Sequence, residues 1–347
     1  MRVALDVTPA TTGRTGVARY VRELTAELVS AGVEVAPFAV GRGRYQPPEG
    51  TRHVGVPLRA VQASWRALGL PRVEHLVGRV DLAHCLDLVP PPCRAPVVMT
   101  AHDVEALERP DLHPGHQVEA QRAQLAAYAG AALVLANSAA TAAALARHGV
   151  DASRVVVTSL GLTVLPEPSA RVVPGPYLLA VGEVNARKDL PTLVQAFRAA
   201  DLPDDLTLVL AGPAGYRADE TLSLTGDRVV ALGRVEDDEL SSLYRHATAL
   251  CFPSLGEGFG LPLLEAMSVG CPVLASDLPV FREVAEGAAT FVAAGDVAAW
   301  QAALQEVVVH PVPASRLDEG RRRAAAATWR STAAQTLAAY ERVLACA

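Results

Sequence analysis

The chain has 347 residues, half of them hydrophobic and 20% charged, a balance that supports a large buried core and weighs against disorder. Its formal charge of −6 argues against a dedicated nucleic-acid or polyanion binder, which would carry a basic excess. The five cysteines, at 85, 93, 251, 271 and 346, are odd in number and show no C-x-x-C spacing, so they read as buried reduced thiols and not as a disulfide frame or zinc site.

At roughly 150 residues per domain the length suggests two domains. The N-terminus, RVALDVT, reads as a strand carrying Asp6 and lacks the apolar core of a signal peptide. The longest apolar run, Leu125 to Ala136, is too short to span a bilayer, so the expected location is cytoplasmic. Val17, Val21, Leu24 and Leu28 predict a helix over 16–31, closed by Gly32. Further strands are predicted at VEVAPFAV, DLAHC (81–85), PVVMTAHD (96–103), ALVLANS (132–138) and VVVTS (155–159), with helices near 116–130 and 139–148. Four prolines in LPEPSARVVPGPY (165–177) mark a linker.

Beyond the linker the alternation restarts. Strand YLLAVGE is followed by helix DLPTLVQAFRAA, then strands LTLVLAGP and VVALGRV, helix DDELSSLYRHA and strand ALCFPS. A helix from about 261, strand PVLAS, helix PVFREVAEG and terminal helices broken at HPVPAS complete the chain. Continuous apolar strands alternating with helices imply parallel sheets covered on both faces. The expected division is 1–168 and 169–326, two doubly wound Rossmann-like domains facing each other across a cleft, with 327–347 a helix crossing back to the first domain.

The stretch PSLGEGFGLPLLEAM (253–267) follows a strand and enters a helix through Gly256, Gly258 and Gly260, with Pro262 in the first helical turn. Glycine lets the backbone approach a ligand, and a helix N-terminus offers unpaired N–H groups to phosphate. Glu257 and Glu265, as acceptors only, suit hydroxyl groups. A sugar nucleotide supplies both kinds of partner. The pattern E-G-F-G-L-P-x-x-E-A-M resembles the E-x7-E motif of retaining glycosyltransferases of group 1, or family 4, which have the GT-B fold. The resemblance implies that Glu265 binds the ribose hydroxyls and Glu257 those of the donor sugar. It further implies that the backbone from Gly258 through Phe259 and Gly260 to Leu261 lies against sugar and diphosphate.

A second segment, GEVNARKDL, resembles the family's G-x-x-x-x-R-K-[ND] run. Gly182 opens it, and Arg187 and Lys188 are implied to bind the diphosphate, where a cation pair can neutralise a leaving group. Glu183 departs from the arginine that many relatives place after this glycine. In TPATTGRTGVARYVREL, Gly16 is the implied contact of the first loop with the donor phosphate, with Arg14 beside it. From this stretch alone an ordinary strand-to-helix turn fits equally. Arg19 and Arg22 leave a peripheral membrane contact open, although Glu23 and Glu27 interrupt that face. His102, ending a buried strand, is implied to touch the sugar near the reacting carbon, with Asp103 either orienting the imidazole or capping the next segment. Ser138 reads first as a helix cap and Glu283 as structural.

The chain has no G-x-x-x-x-G-K-[ST], no H-E-x-x-H and no D-x-D, and no G-x-G-x-x-G follows the first strand. The resemblance thus implies a cofactor-free, metal-independent transfer of a hexose, mannose first, from a GDP- or UDP-linked donor. The acceptor hydroxyl could belong to a glycan, a lipid-linked sugar or a small metabolite, and the oligomeric state is undetermined. An epimerase on the same fold and a silent sugar-nucleotide-binding subunit are the alternatives.

Overall fold

The computed structural model describes residues 1–13, 15–87, 89–168, 170–226 and 228–346. The chain divides into two compact units, the first of 1–107, 116–161 and 328–347, the second of 108–115 and 162–327.

In the first unit the strands are β1 (Arg2–Asp6), β2 (Glu34–Val40), β3 (Arg52–Val54), β4 (Leu82–Cys85), β5 (Val97–Ala101), β6 (Leu133–Ala136) and β7 (Val155–Val157). They form one parallel sheet in the order β3-β2-β1-β4-β5-β6-β7. The helices up to β7 are α1 (Thr8–Thr12), α2 (Gly16–Ser30), α3 (Leu58–Leu68), α4 (Val73–Val77), α5 (Glu105–Glu108), α6 (Gly115–Tyr128) and α7 (Ala139–Arg147). Every residue of β4 and β6 is buried, as expected of strands covered on both faces. α2 starts where the Thr15 hydroxyl accepts from the Ala18 N–H at 3.2 Å.

The second unit holds β8 (Tyr177–Val181), β9 (Thr207–Ala211), β10 (Val229–Gly233), β11 (Ala249–Phe252), β12 (Val273–Ser276) and β13 (Thr290–Val292), parallel in the order β10-β9-β8-β11-β12-β13. Its helices are α8 (Leu190–Ala199), α9 (Asp219–Leu222), α10 (Asp237–His246), α11 (Leu261–Ser268), α12 (Pro279–Ala285), α13 (Val297–Val309) and α14 (Ala314–Ala326). The last helix, α15 (Trp329–Ala345), belongs to the first unit, where its Thr332 hydroxyl donates to the Ser159 carbonyl at 2.8 Å.

Both sheets are doubly wound. In the first, the order reverses between β1 and β4; in the second, between β8 and β11. Ligands of open parallel sheets bind beyond the carboxyl ends of the strands at such a reversal. The loops after β8 and β11 are therefore the first place to look for chemistry in the second unit, and those after β1, β4 and β5 in the first.

One expectation needs correction. The five cysteines are free, but Cys346 is exposed and Cys93 only half-buried. Cys346 follows α15, beyond Val343, the last buried residue of that helix.

Candidate active site

At the reversal in the second unit, β8 runs into Gly182. Its φ of +127° suits glycine, and a Cβ there would stand 3.1 Å from Lys188 Cε. The glycine thus makes room for the lysine stem. Arg187 and Lys188 follow on a single 3₁₀ turn, Ala186–Lys188, capped by the Asn185 carboxamide oxygen, which accepts from the Lys188 N–H at 3.2 Å. α8 begins immediately afterwards, so both cations are fixed at the rim of the sheet.

The loop after β11 meets this turn. The Leu255 N–H donates to the Arg187 carbonyl at 2.9 Å, and Arg187 Nη1 donates to the Gly256 carbonyl at 2.5 Å. Glu257 then lies between the cations. Its Oε1 pairs with Lys188 Nζ at 2.6 Å and accepts from the Ser254 hydroxyl at 2.9 Å, while its Oε2 pairs with Arg187 Nη1 at 2.7 Å. The side chains of Arg187, Lys188 and Glu257 are 18%, 11% and 10% exposed, so the cluster is shielded but still reachable. Burial pushes the Glu257 carboxyl up, but the adjoining guanidinium and ammonium together outweigh it and hold the group at about 2. Lys188 Nζ also stands 4.1 Å from the Phe252 ring centroid, a cation–π contact. Glu183 also acts on Lys188 through its charge, so two cations and two carboxylates meet beside the glycine loop, and an arriving anion competes with the carboxylates for the cations.

The loop closes at Gly260, whose φ of +108° places it in the left-handed region, and a Cβ there would meet the Phe281 ring at 2.9 Å. Gly258, Phe259 and Gly260 are buried and Leu261 half-buried. From α11, Glu265 is 5% exposed and accepts from the Tyr244 hydroxyl at 2.8 Å through Oε2. Gly182, Arg187, Lys188, Glu257, Gly258, Phe259, Gly260, Leu261 and Glu265 all lie on the two loops at the reversal and the helix that follows.

Glu183 is engaged locally. Its Oε1 accepts from Asn185 Nδ2 at 3.2 Å, and a Cβ on Gly215 would overlap its carboxylate. Ser254, Phe252 and Tyr244 were not anticipated as members of this group. Ser254 had a readable signal, a hydroxyl three residues before Glu257 in the same loop; Tyr244 had none, because the contact joins two helices.

In the first unit, Gly16 lies after β1, at the sheet reversal, and His102 after β5, one strand further along the sheet. Gly16 is the exposed first residue of α2, beyond the carboxyl end of β1. Arg14 lies outside the described residues. His102 follows β5; its Nε2 is 2.8 Å from the Leu86 carbonyl, and its ring stands edge-on to Tyr20 with centroids 5.2 Å apart. Burial lowers its pKa against the opposing pull of that carbonyl and of Asp103, which favours the neutral ring. With Nε2–H donating to Leu86, Nδ1 carries the lone pair. The Asp103 carboxylate accepts from the Glu105 N–H at 3.2 Å and from Gln121 Nε2 at 2.9 Å, a cap on the following segment. Ser138 caps α7, accepting from the Thr141 N–H at 3.0 Å. Among the described residues no group of three or more His, Cys, Asp or Glu is placed to hold a metal ion, and no helix is long and apolar enough to cross a membrane.

Comparison with known proteins bears on what this arrangement is for. Residues 14–163 match the family model described as Glycosyltransferase Family 4, and residues 175–310 the model described as Glycosyl transferases group 1. The chain is 30% identical to O-antigen chain mannosyltransferase B of Escherichia coli over 70% of each chain. It is 30% identical to D-inositol 3-phosphate glycosyltransferase of Pseudarthrobacter chlorophenolicus over 92% of this chain and 89% of the relative. Among solved structures, a sucrose-phosphate synthase from Thermosynechococcus elongatus superposes with a TM-score of 0.81 at 22% identity over 100% of both chains. Anabaena HepE, solved in complex with UDP and glucose, gives 0.71 at 16% identity over 97% of this chain and 98% of that one.

Proposed function

Because the chain belongs to the group 1 glycosyltransferases, a GT-B family, we propose that it moves a hexose, mannose in the first instance, from a GDP- or UDP-linked donor to an acceptor hydroxyl with retention at the anomeric carbon. The observation that carries this reading is the Arg187–Lys188–Glu257 cluster at the sheet reversal, with Glu257 four residues before the helix that carries Glu265. The name of the E. coli relative supports mannose. The UDP complex of HepE supports a nucleotide-linked donor.

In this reading the diphosphate oxygens draw Arg187 and Lys188 partly away from Glu257. The Gly258–Leu261 backbone and the start of α11 lie along sugar and diphosphate, and Glu265 takes the ribose hydroxyls. Glu257, relieved of part of its pairing, accepts from the sugar hydroxyls. His102 accepts from a sugar hydroxyl through Nδ1, and Gly16 offers its N–H to phosphate. The bond from the anomeric carbon to the phosphate oxygen breaks, and the electron pair leaves with the diphosphate. Arg187 and Lys188 stabilise the charge that grows there, without a metal clamp. The acceptor oxygen bonds to the same face, and its proton passes to the departing phosphate. Glu257 positions the donor and forms no covalent bond.

A thermal-shift screen against GDP, UDP and their sugars tests the donor, since binding to the folded state raises the melting temperature. The cognate donor is then incubated alone and with candidate acceptors. Glu265→Ala is expected to weaken nucleotide binding, whereas Glu257→Ala is expected to spare it and to abolish most transfer. Equal nucleotide affinity in wild type and Glu265→Ala would refute the ribose assignment.

A further inference from the structure

Glu265 is held by a side chain that the reaction described above does not use. Tyr244, near the end of α10, is fully buried, and its hydroxyl donates to Glu265 Oε2 at 2.8 Å. α10 is itself fixed at both ends. Glu236 and Glu239 form a capping box at its start. The Leu243 carbonyl accepts from the Tyr177 hydroxyl at 2.9 Å and ties the end of α10 to β8, the strand that leads to Arg187 and Lys188. On α11, the Ser268 hydroxyl donates to the Glu265 carbonyl at 2.7 Å. The phenol therefore approaches the carboxylate from a rigid platform.

The last torsion of a glutamate is a broad, roughly two-fold rotor, so burial alone does not set the plane of its carboxylate. Accepting from two neighbouring ribose hydroxyls requires that plane to be set before the nucleotide arrives, because otherwise binding must supply the cost of ordering it. A phenol suits this task better than a lysine or arginine would. It fixes one oxygen through a hydrogen bond to a charged acceptor, yet it is neutral and leaves the carboxylate its full charge.

We propose that Tyr244 is a positioning residue for the nucleotide ribose: through Glu265 it sets the preference of this protein for a ribonucleotide over one lacking the ribose hydroxyls. The inference rests on the assignment of Glu265 to the ribose, and the test separates the two. Full-length wild type, Tyr244→Phe and Glu265→Gln are titrated calorimetrically with GDP, UDP and their 2′,3′-dideoxy counterparts. Wild type is expected to bind one ribonucleotide at least tenfold more tightly than its dideoxy form. Tyr244→Phe is expected to lose about tenfold for the ribonucleotide and less than twofold for the dideoxy form. Equal losses for both forms assign Tyr244 to packing and overturn the proposal, as does a preference left intact. A preference absent in wild type, or kept in Glu265→Gln, overturns the Glu265 assignment and this inference with it. A preference lost in Glu265→Gln but kept in Tyr244→Phe overturns the inference alone. 3-Fluorotyrosine at position 244 keeps the hydroxyl and is expected to keep the preference; its loss there too points to the ring and overturns the proposal even if Tyr244→Phe does not fold.

Discussion

Two shielded carboxylates illustrate how neighbours decide the sign of an electrostatic contribution. Glu257 lies between two cations and is held at about 2. Its folded pKa is below the unfolded one, so its stabilising effect is present above about 4.5 and is lost as pH falls towards 2. Asp6, fully buried at the end of β1, accepts from the Thr8 N–H at 3.0 Å through Oδ1, and its Oδ2 has no hydrogen-bond partner among the described residues. Burial raises it to about 6 against the pull of Thr8. Its folded state therefore binds the proton more readily, and its destabilising effect at neutral pH fades as pH falls from about 6 to 3.8. At pH 7 Glu257→Gln is expected to cost on the order of 3 kcal/mol, and Asp6→Asn to gain up to roughly 3 kcal/mol. Melting temperatures measured from pH 3 to 8 check both. The Glu257→Gln deficit should shrink as pH approaches 3, and the Asp6→Asn gain should vanish near pH 4. Parallel curves for wild type and variants would refute the assignment.

At the scale of elements, the turn from β11 into α11 depends on Gly260. An alanine there must adopt a left-handed backbone and displace the Phe281 ring from 2.9 Å, at a cost of roughly 1–3 kcal/mol. Gly260→Ala is expected to lower the melting temperature and, because α11 carries Glu265, to weaken nucleotide binding as well; loss of stability alone would separate the turn from the site. This turn was legible in the sequence, as were the strands of both sheets other than β3 and β13, because unbroken runs such as ALCF and TLVLA admit little besides a buried strand. The segment between β2 and β4 was not anticipated. β3 is only three residues, too short for alternation to show, and α4 is a single-turn helix whose stability comes from packing. α3 did carry a readable signal, with Val61 and Trp65 buried four residues apart. Around the site, the residue types of the two loops were legible, but the pairing of Glu257 with Arg187 and Lys188 was not. Those partners are about seventy positions away, and the sheet order alone brings them together.

At the scale of the whole molecule, α15 returns to the unit that holds β1. The link is polar and buried. His84, on β4, receives the Tyr340 hydroxyl at its Nδ1, 2.7 Å away, and its Nε2 is 2.8 Å from the Thr100 hydroxyl, which in turn lies 3.2 Å from that of Tyr20. Burial lowers His84 to about 3, so the ring stays neutral and can accept from Tyr340 at Nδ1 while donating to Thr100 at Nε2. Gly161 lets α15 approach, because a Cβ there would overlap the backbone of Thr328 and Trp329. Removing one member of such a network leaves its partner buried and unsatisfied, at about 1–3 kcal/mol, whereas removing both restores much of the loss. Tyr340→Phe is therefore expected to destabilise the protein, and Tyr340→Phe with His84→Leu to cost less than the two changes added separately. A double-mutant cycle by denaturant unfolding measures this directly. Strict additivity would mean that α15 is held by its apolar face alone and that the buried histidine contributes nothing to joining the two ends of the chain.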